Sequence, residues 1–241
     1  MKKLIPIIVL AVVLGYSAAY SQLRLTALFD GPLNGTDFNG QPRGVELFAD
    51  SDIADLSIFG LGVSNLEPGK EGMDFAFDPI SVSAGEFIYL SYETTNFNSF
   101  FGFDPDITNN TLRQVRGVFG VELYKNGSVI DVFGDITIQA ANTDPWKFTD
   151  SWVYRKDETG PDGSTFNVDN WILPGRNELD DETSNASAGN PVPIGTFSPG
   201  EIARDQSPGA AHAPEPSTYG IIFSLFAVGL VVWRKRMRRR S

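Results

Sequence analysis

The chain has 241 residues, with 19 Lys+Arg, 30 Asp+Glu, one histidine and no cysteine. Without cysteine there is no disulfide framework, thiolate zinc site or thiol nucleophile, and a single histidine leaves almost no mechanism that needs a positioned imidazole. A hydrophobic share of 41%, with 24 glycines and 15 prolines, describes a globular chain rich in turns, neither a disordered polyanion nor a multi-span membrane protein.

Charge is partitioned along the chain. Eight basic residues sit at the two ends, so the stretch between them carries 11 against all 30 acidic residues, a net charge of −19. A body this acidic repels phosphate backbones, and no nucleic-acid partner is expected. The N-terminus opens with Lys2 and Lys3, an apolar run over 4–14, and the small-residue steps Ser17-Ala18-Ala19 and Ala19-Tyr20-Ser21. This pattern predicts a secretory signal peptide over 1–21, cleaved after Ala19 or Ser21. The alternative, an uncleaved anchor, asks for a longer apolar run, of about 20 residues.

The body, 22–197, reads as strands separated by turn residues. Runs with strand character lie at 45–48, 56–61, 74–77, 80–82, 86–92, 118–124, 129–133, 152–155 and 171–173. Asn126-Gly127 between the runs at 118–124 and 129–133 is a strong hairpin signal. No amphipathic stretch of helical length stands out. Short strands in this number predict an all-β sandwich of immunoglobulin-like type. The pattern decays from about Asn177, with 191–197 as a candidate last strand, and residues 198–213 read as a flexible stalk of Pro, Gly, Ala and Ser.

Residues 214–241 form a second address. Pro214-Glu215-Pro216 precedes an uncharged run, 217–233, of 17 residues, roughly 25 Å of helix at 1.5 Å per residue. Arg234, Lys235, Arg236, Arg238, Arg239 and Arg240 follow, a cluster that the positive-inside rule keeps cytoplasmic, with one C-terminal transmembrane helix before it. Pro214 and Pro216 disfavour helix at and before themselves, so the motif is expected to be extended at the membrane face. This tail resembles the PEP-CTERM sorting signal of Gram-negative bacteria. The resemblance implies an exosortase as partner, removal of the tail, and delivery from an inner-membrane-anchored precursor to the cell surface or an extracellular polysaccharide matrix.

A second resemblance covers roughly 23–197. Gly44-Val45-Glu46-Leu47-Phe48 followed by Ile53-Ala54-Asp55-Leu56-Ser57, then Val121-Glu122-Leu123-Tyr124 with Val129-Ile130-Asp131-Val132-Phe133, then Asp150-Ser151-Trp152-Val153-Tyr154-Arg155 are similar to the segments of a lamin-tail domain. The chain departs from that pattern by insertions at 93–116 and 157–170 and by lacking Gly-Trp after Leu56-Ser57. The resemblance implies an immunoglobulin-like sandwich serving as an accessory or interaction module.

No residue is singled out as catalytic or as binding a cofactor, and no metal site is assigned. His212, the one imidazole, lies in the stalk. Three acidic turns have the oxygen ligands that Ca²⁺ takes, without EF-hand spacing: Asp50, Asp52 and Asp55; Asp104, Asp106 and Asn109; Asp157, Glu158 and Asp162. The competing reading is that they are solvated turns bonded by their own side chains. Trp146, Trp152 and Trp171 with Tyr154 suggest either a flat sugar-binding platform or core residues. Phe97, Phe100, Phe101 and Phe103 suggest a loop anchor or an exposed patch. Asn34, Asn109, Asn126 and Asn185 match the N-glycosylation pattern, incidentally in a bacterium. The leading expectation is an exported, non-enzymatic surface or matrix protein, sorted and cleaved at its tail. The alternatives are a polysaccharide-binding module, Ca²⁺-assisted or not, that contacts extracellular polysaccharide or surface proteins, and a hydrolase working through two carboxylates about 5–9 Å apart.

Overall fold

The computed structural model describes residues 22–35, 39–64 and 72–200. The leader 1–21, the sorting motif, the apolar run and the basic cluster lie outside the described residues. Two long neighbouring strands, β1 (Leu23–Asn34) and β2 (Asn39–Ala49), pair antiparallel from Leu23↔Ala49 to Asn34↔Asn39. After them come β3 (Phe59–Val63), β4 (Phe75–Ala76), β5 (Phe87–Ser91), helix α1 (Thr94–Phe101), β6 (Ile107–Thr108), β7 (Val121–Lys125), β8 (Ser128–Phe133), β9 (Trp152–Arg155) and β10 (Trp171–Ile172). They make one six-stranded sheet, β10-β9-β1-β2-β5-β6, and one four-stranded sheet, β4-β3-β7-β8. Two sheets and a single α-helix among the described residues are the layout of an all-β sandwich.

Leu25, Leu28, Val45, Leu47 and Leu90 of the larger sheet share one core with Phe59, Leu61, Leu123 and Phe133 of the smaller. A second cluster of buried side chains includes Ala27, Phe29, Phe48, Trp152 and Tyr154 of the larger sheet, with Phe97 and Phe100 of α1 and, from the C-terminal segment, Leu179, Val192 and Phe197. The larger sheet is therefore covered on both faces, and its central strands lack the clean alternation of a half-exposed strand.

Two local sequences fold otherwise than their composition suggests, for definable reasons. Residues 23–34, which carry no clear strand pattern, form β1. Its register shifts between Leu25 and Ala27, and such a bulge reverses which side of the sheet each later residue faces. Leu23 and Leu25 belong to the inner core with Leu28, whereas Ala27 and Phe29 belong to the outer cluster. The helix α1 forms although Thr-Thr-Asn-Phe-Asn-Ser-Phe-Phe is poor in helix formers. It exists because both ends are capped and its aromatic side is buried. The Glu93 carboxylate accepts from Asn96 N–H, and Gly102 closes the helix at φ 85° in the left-handed region that glycine tolerates.

Other expectations need smaller adjustment. Asn126 and Gly127, at φ 49° and 76°, turn β7 into β8 as the Asn-Gly signal requires. Residues 56–58 form a 3₁₀ turn capped by Asp55 rather than the start of a strand. Residues 191–197 form no strand. They run as an irregular strap across the larger sheet, where the Tyr154 hydroxyl oxygen accepts from Phe197 N–H at 2.8 Å and Thr196 N–H at 3.1 Å. Ser198 is also pinned: its N–H donates to Asp157 and its carbonyl accepts from Glu158 N–H.

The two sheets are joined by a buried ion pair. The β1–β9 register stops at Ala27↔Tyr154. Beyond it, side chains replace backbone partners: Leu25 N–H donates to Asp131 Oδ2 at 2.9 Å, and the Leu25 carbonyl accepts from Arg155 Nε at 2.6 Å. Arg155 Nη2 reaches both Asp131 oxygens at 2.8 Å, and its guanidinium lies 4.4 Å from the Trp171 ring centroid. Asp162 N–H adds a further bond to Asp131. Both side chains are wholly buried. Removing one partner of such a pair leaves an uncompensated buried charge, at a cost of about 3–5 kcal/mol. Arg155→Met is therefore expected to lower unfolding free energy by about that amount in urea titration. Arg155→Met with Asp131→Leu is expected to recover part of the loss, since the stranded charge is gone but the bonds to Leu25 and Asp162 are too.

Candidate functional site

The sorting residues Pro214, Glu215 and Pro216 and the basic residues Arg234, Lys235, Arg236, Arg238, Arg239 and Arg240 lie outside the described residues, as does His212. The tryptophan platform does not exist. Trp146, Trp152, Trp171 and Tyr154 are each at most 6% exposed. They are core residues, and Trp152 Nε1 is spent on the Asn190 carbonyl at 2.9 Å. The phenylalanine run is an anchor: Phe97 packs on Phe29, Phe101 and Phe103, with ring centroids 6.0, 4.8 and 5.3 Å away.

The acidic turns are engaged with protein groups. Asp50 pairs with Arg24, Asp52 accepts from Ala84 N–H and Asp55 from Ser57 N–H. Asp104 accepts from the Asn98 amide and Asp106 from Tyr89 N–H. Asp162 accepts from Arg155 and Asn170. Among the described residues no group of three acidic or imidazole side chains converges.

The chain does build a concave site that sequence reasoning did not assemble. At the turn end of the β1–β2 hairpin, a cleft of about 450 Å³ is walled by Asn34, Gly35 and Gln41, by Tyr92, Glu93, Thr95 and Asn96 where β5 passes into α1, and by Thr108, Asn109 and Asn110 after β6. That volume lies in the range of small-molecule sites. Three segments far apart in sequence meet because β2 pairs with β5 and β5 runs parallel to β6.

Several of these groups are fixed before any ligand arrives. Asn96 Nδ2 donates to Gln41 Oε1 at 2.5 Å, and the Gln41 amide lies so close to Gly35 that a Cβ there would meet its Nε2 at 2.1 Å. Asn109 Oδ1 accepts from Thr111 N–H at 2.9 Å. Both Glu93 oxygens accept from Asn96 N–H at 3.0 Å. Glu93 is the one acidic residue among the described residues lining the cleft, and no lysine or arginine joins it. Among the described residues the two-carboxylate arrangement of a glycosidase is not formed in this cleft. The only signal in the sequence was the pair of Asn-x-Ser/Thr matches at Asn34 and Asn109. Comparisons with protein-family models, with curated proteins and with solved structures found no match to this chain.

A second feature sits further along the larger sheet. Glu46, on the central strand β2, is fully buried. Its Oε1 lies 2.7 Å from Thr26 Oγ1, its Oε2 accepts from Gly195 N–H at 2.6 Å, and the Tyr154 hydroxyl also bonds to it. No cation faces it, and burial pushes its pKa from 4.5 up to about 7. Asp30 is likewise raised by burial, from 3.8 to about 6, although Arg43 bonds to it at 2.7 Å.

The folded state thus holds a proton on Glu46 where the unfolded chain has released it. The resulting stability is fully present below about pH 4.5 and is lost as pH rises through about 7, amounting to roughly 3 kcal/mol. Gln is a close copy of the protonated side chain, since an amide N–H can donate to Thr26 and the amide oxygen can accept from Gly195. Thermal unfolding of the protein is expected to show Tm falling from pH 4.5 to pH 7. Glu46→Gln is expected to flatten that slope and to be the more stable form at pH 7.5.

Proposed function

We propose that this chain is an exported, non-enzymatic surface or extracellular-matrix protein, built on an immunoglobulin-like sandwich of lamin-tail type and sorted by an exosortase at its C-terminal tail. The reading is carried by the order of features: a basic-apolar leader, one sandwich, a Pro/Gly/Ala/Ser stalk, Pro214-Glu215-Pro216, an uncharged run and a terminal basic cluster. In this reading the leader sends the acidic body across the membrane, the run at 217–233 holds it there, and the basic cluster fixes the orientation.

The lamin-tail kinship is supported by where the matching segments fall. Glu46-Leu47 lies on β2, Asp55-Leu56-Ser57 opens the turn into β3, 121–133 is the β7–β8 hairpin, and Trp152–Arg155 is β9. The inserted stretch 93–116 supplies α1 and β6.

Intact mass and cell fractionation of the native protein test the sorting reading. The wild-type chain is expected to end near Pro216 and to be recovered outside the membrane. A strain lacking the exosortase, or a chain with Pro214→Ala and Pro216→Ala, is expected to retain residues 234–240 and stay in the inner membrane. A chain that keeps those residues and stays membrane-bound in every strain would overturn the reading.

A further inference from the structure

We infer that the cleft at the turn end of the β1–β2 hairpin binds a neutral oligosaccharide. The inference concerns the body alone and does not depend on how the tail is processed.

The lining decides the ligand class by elimination and by fit. Among the described residues of the lining, a phosphorylated or carboxylated ligand would meet no lysine or arginine, and it would approach a body of strongly negative charge. Among the same residues a metal ion would find one carboxylate, already shared with a backbone N–H. An apolar ligand would strip water from a wall made mostly of amides and hydroxyls and return no hydrogen bonds.

A sugar matches what remains. Each of its hydroxyls is donor and acceptor together, and each Asn or Gln amide presents one acceptor and two donors on a short rigid plane. The side chains of Asn34, Thr108 and Asn110 are exposed and make no hydrogen bond within the protein among the described residues. Their bonding capacity faces the cleft. Asn96 and Asn109 are the pre-set members: one half of each amide is held by the protein, leaving Asn96 Oδ1 and Asn109 Nδ2 for a ligand. Half-buried Tyr92, packed against the inner core, also lines the cleft. Preorganised groups lose little freedom on binding, which favours a site over an ordinary wet surface.

The test uses the full chain in mild detergent, titrated calorimetrically with maltohexaose, cellohexaose, mannohexaose and galactohexaose, and with an anionic alginate hexamer. At least one neutral hexamer is expected to bind with Kd below about 1 mM, while the alginate hexamer does not. Asn34→Ala and Asn110→Ala are each expected to weaken that binding about fivefold, as loss of one hydrogen bond does. Neither should change Tm, because neither side chain has a protein partner. Thr95→Trp, which fills the cleft from the exposed start of α1, is expected to abolish binding. Silence toward all four neutral hexamers at about 10 mM, preference for the alginate hexamer, or binding untouched by Thr95→Trp would each overturn the proposal. None of these results bears on cleavage at Pro216, so failure here leaves the sorting reading standing.

Discussion

The bond between Asp131 and Arg155 is the joint on which the sandwich turns. A β-bulge normally leaves an unpaired residue and a bent strand, and β1 carries one near its start. Here the Leu25 N–H and carbonyl beside it are taken up by a carboxylate from the smaller sheet and a guanidinium from the larger. β8 can deliver that carboxylate because it has an irregularity of its own: its register shifts where Leu123↔Asp131 gives way to Tyr124↔Val129. The two irregularities are complementary. Hydrophobic contact alone would hold the sheets together without fixing how one lies over the other. A buried ion pair that also satisfies the Leu25 backbone groups fixes their relative placement, and the connection from β9 to β10 is drawn in through Asp162 N–H and the Trp171 ring.

That joint frees the other face of the larger sheet for a different kind of cover. α1 and the strap make no ladder with the sheet; they hold by aromatic packing and by side-chain bonds to backbone groups. Arg24 illustrates this. It pairs with Asp50, bonds to the carbonyls of Thr159 and Gly160, and lies 5.2 Å from the Phe197 ring centroid. Tyr154 and Glu46 receive the strap's N–H groups from below. A cover of this type depends on a few buried polar groups, so its hold is more sensitive to protonation than a β-ladder would be.

How far the sequence could be read follows from whether each element obeys one local rule. The β7–β8 hairpin and β9 were legible because Asn126-Gly127 needs a left-handed turn and Trp-Val-Tyr-Arg has strand composition. β1 was not, because Arg24, Thr26 and Asp30 look like surface residues and are buried by partners that come from elsewhere in the chain. α1 was hidden by poor helix propensity and made by capping and tertiary packing. Tryptophans were ambiguous between platform and core, and only tertiary contacts decide that. The cleft was illegible for a stronger reason: its walls come from three segments joined by sheet pairing, two of them largely within what reads as an insertion, and no single segment has a ligand motif.

The position of that cleft relative to the tether gives the two functional readings a common geometry. The strap's last pinned residues lie beside Arg24, Asp50 and Asp157, at the beginning of β1. The cleft begins at Asn34, at the other end of the same strand. Ten residues of strand at about 3.3 Å each separate them by roughly 30 Å. A body held through its C-terminal segment therefore carries the cleft at the end away from the tether. On the proposed reading, an acidic protein anchored through that segment would carry the amide-lined cleft at the end of β1 away from the anchor. The sandwich is then a spacer as well as a scaffold, with the Asp131–Arg155 pair joining one sheet to the other.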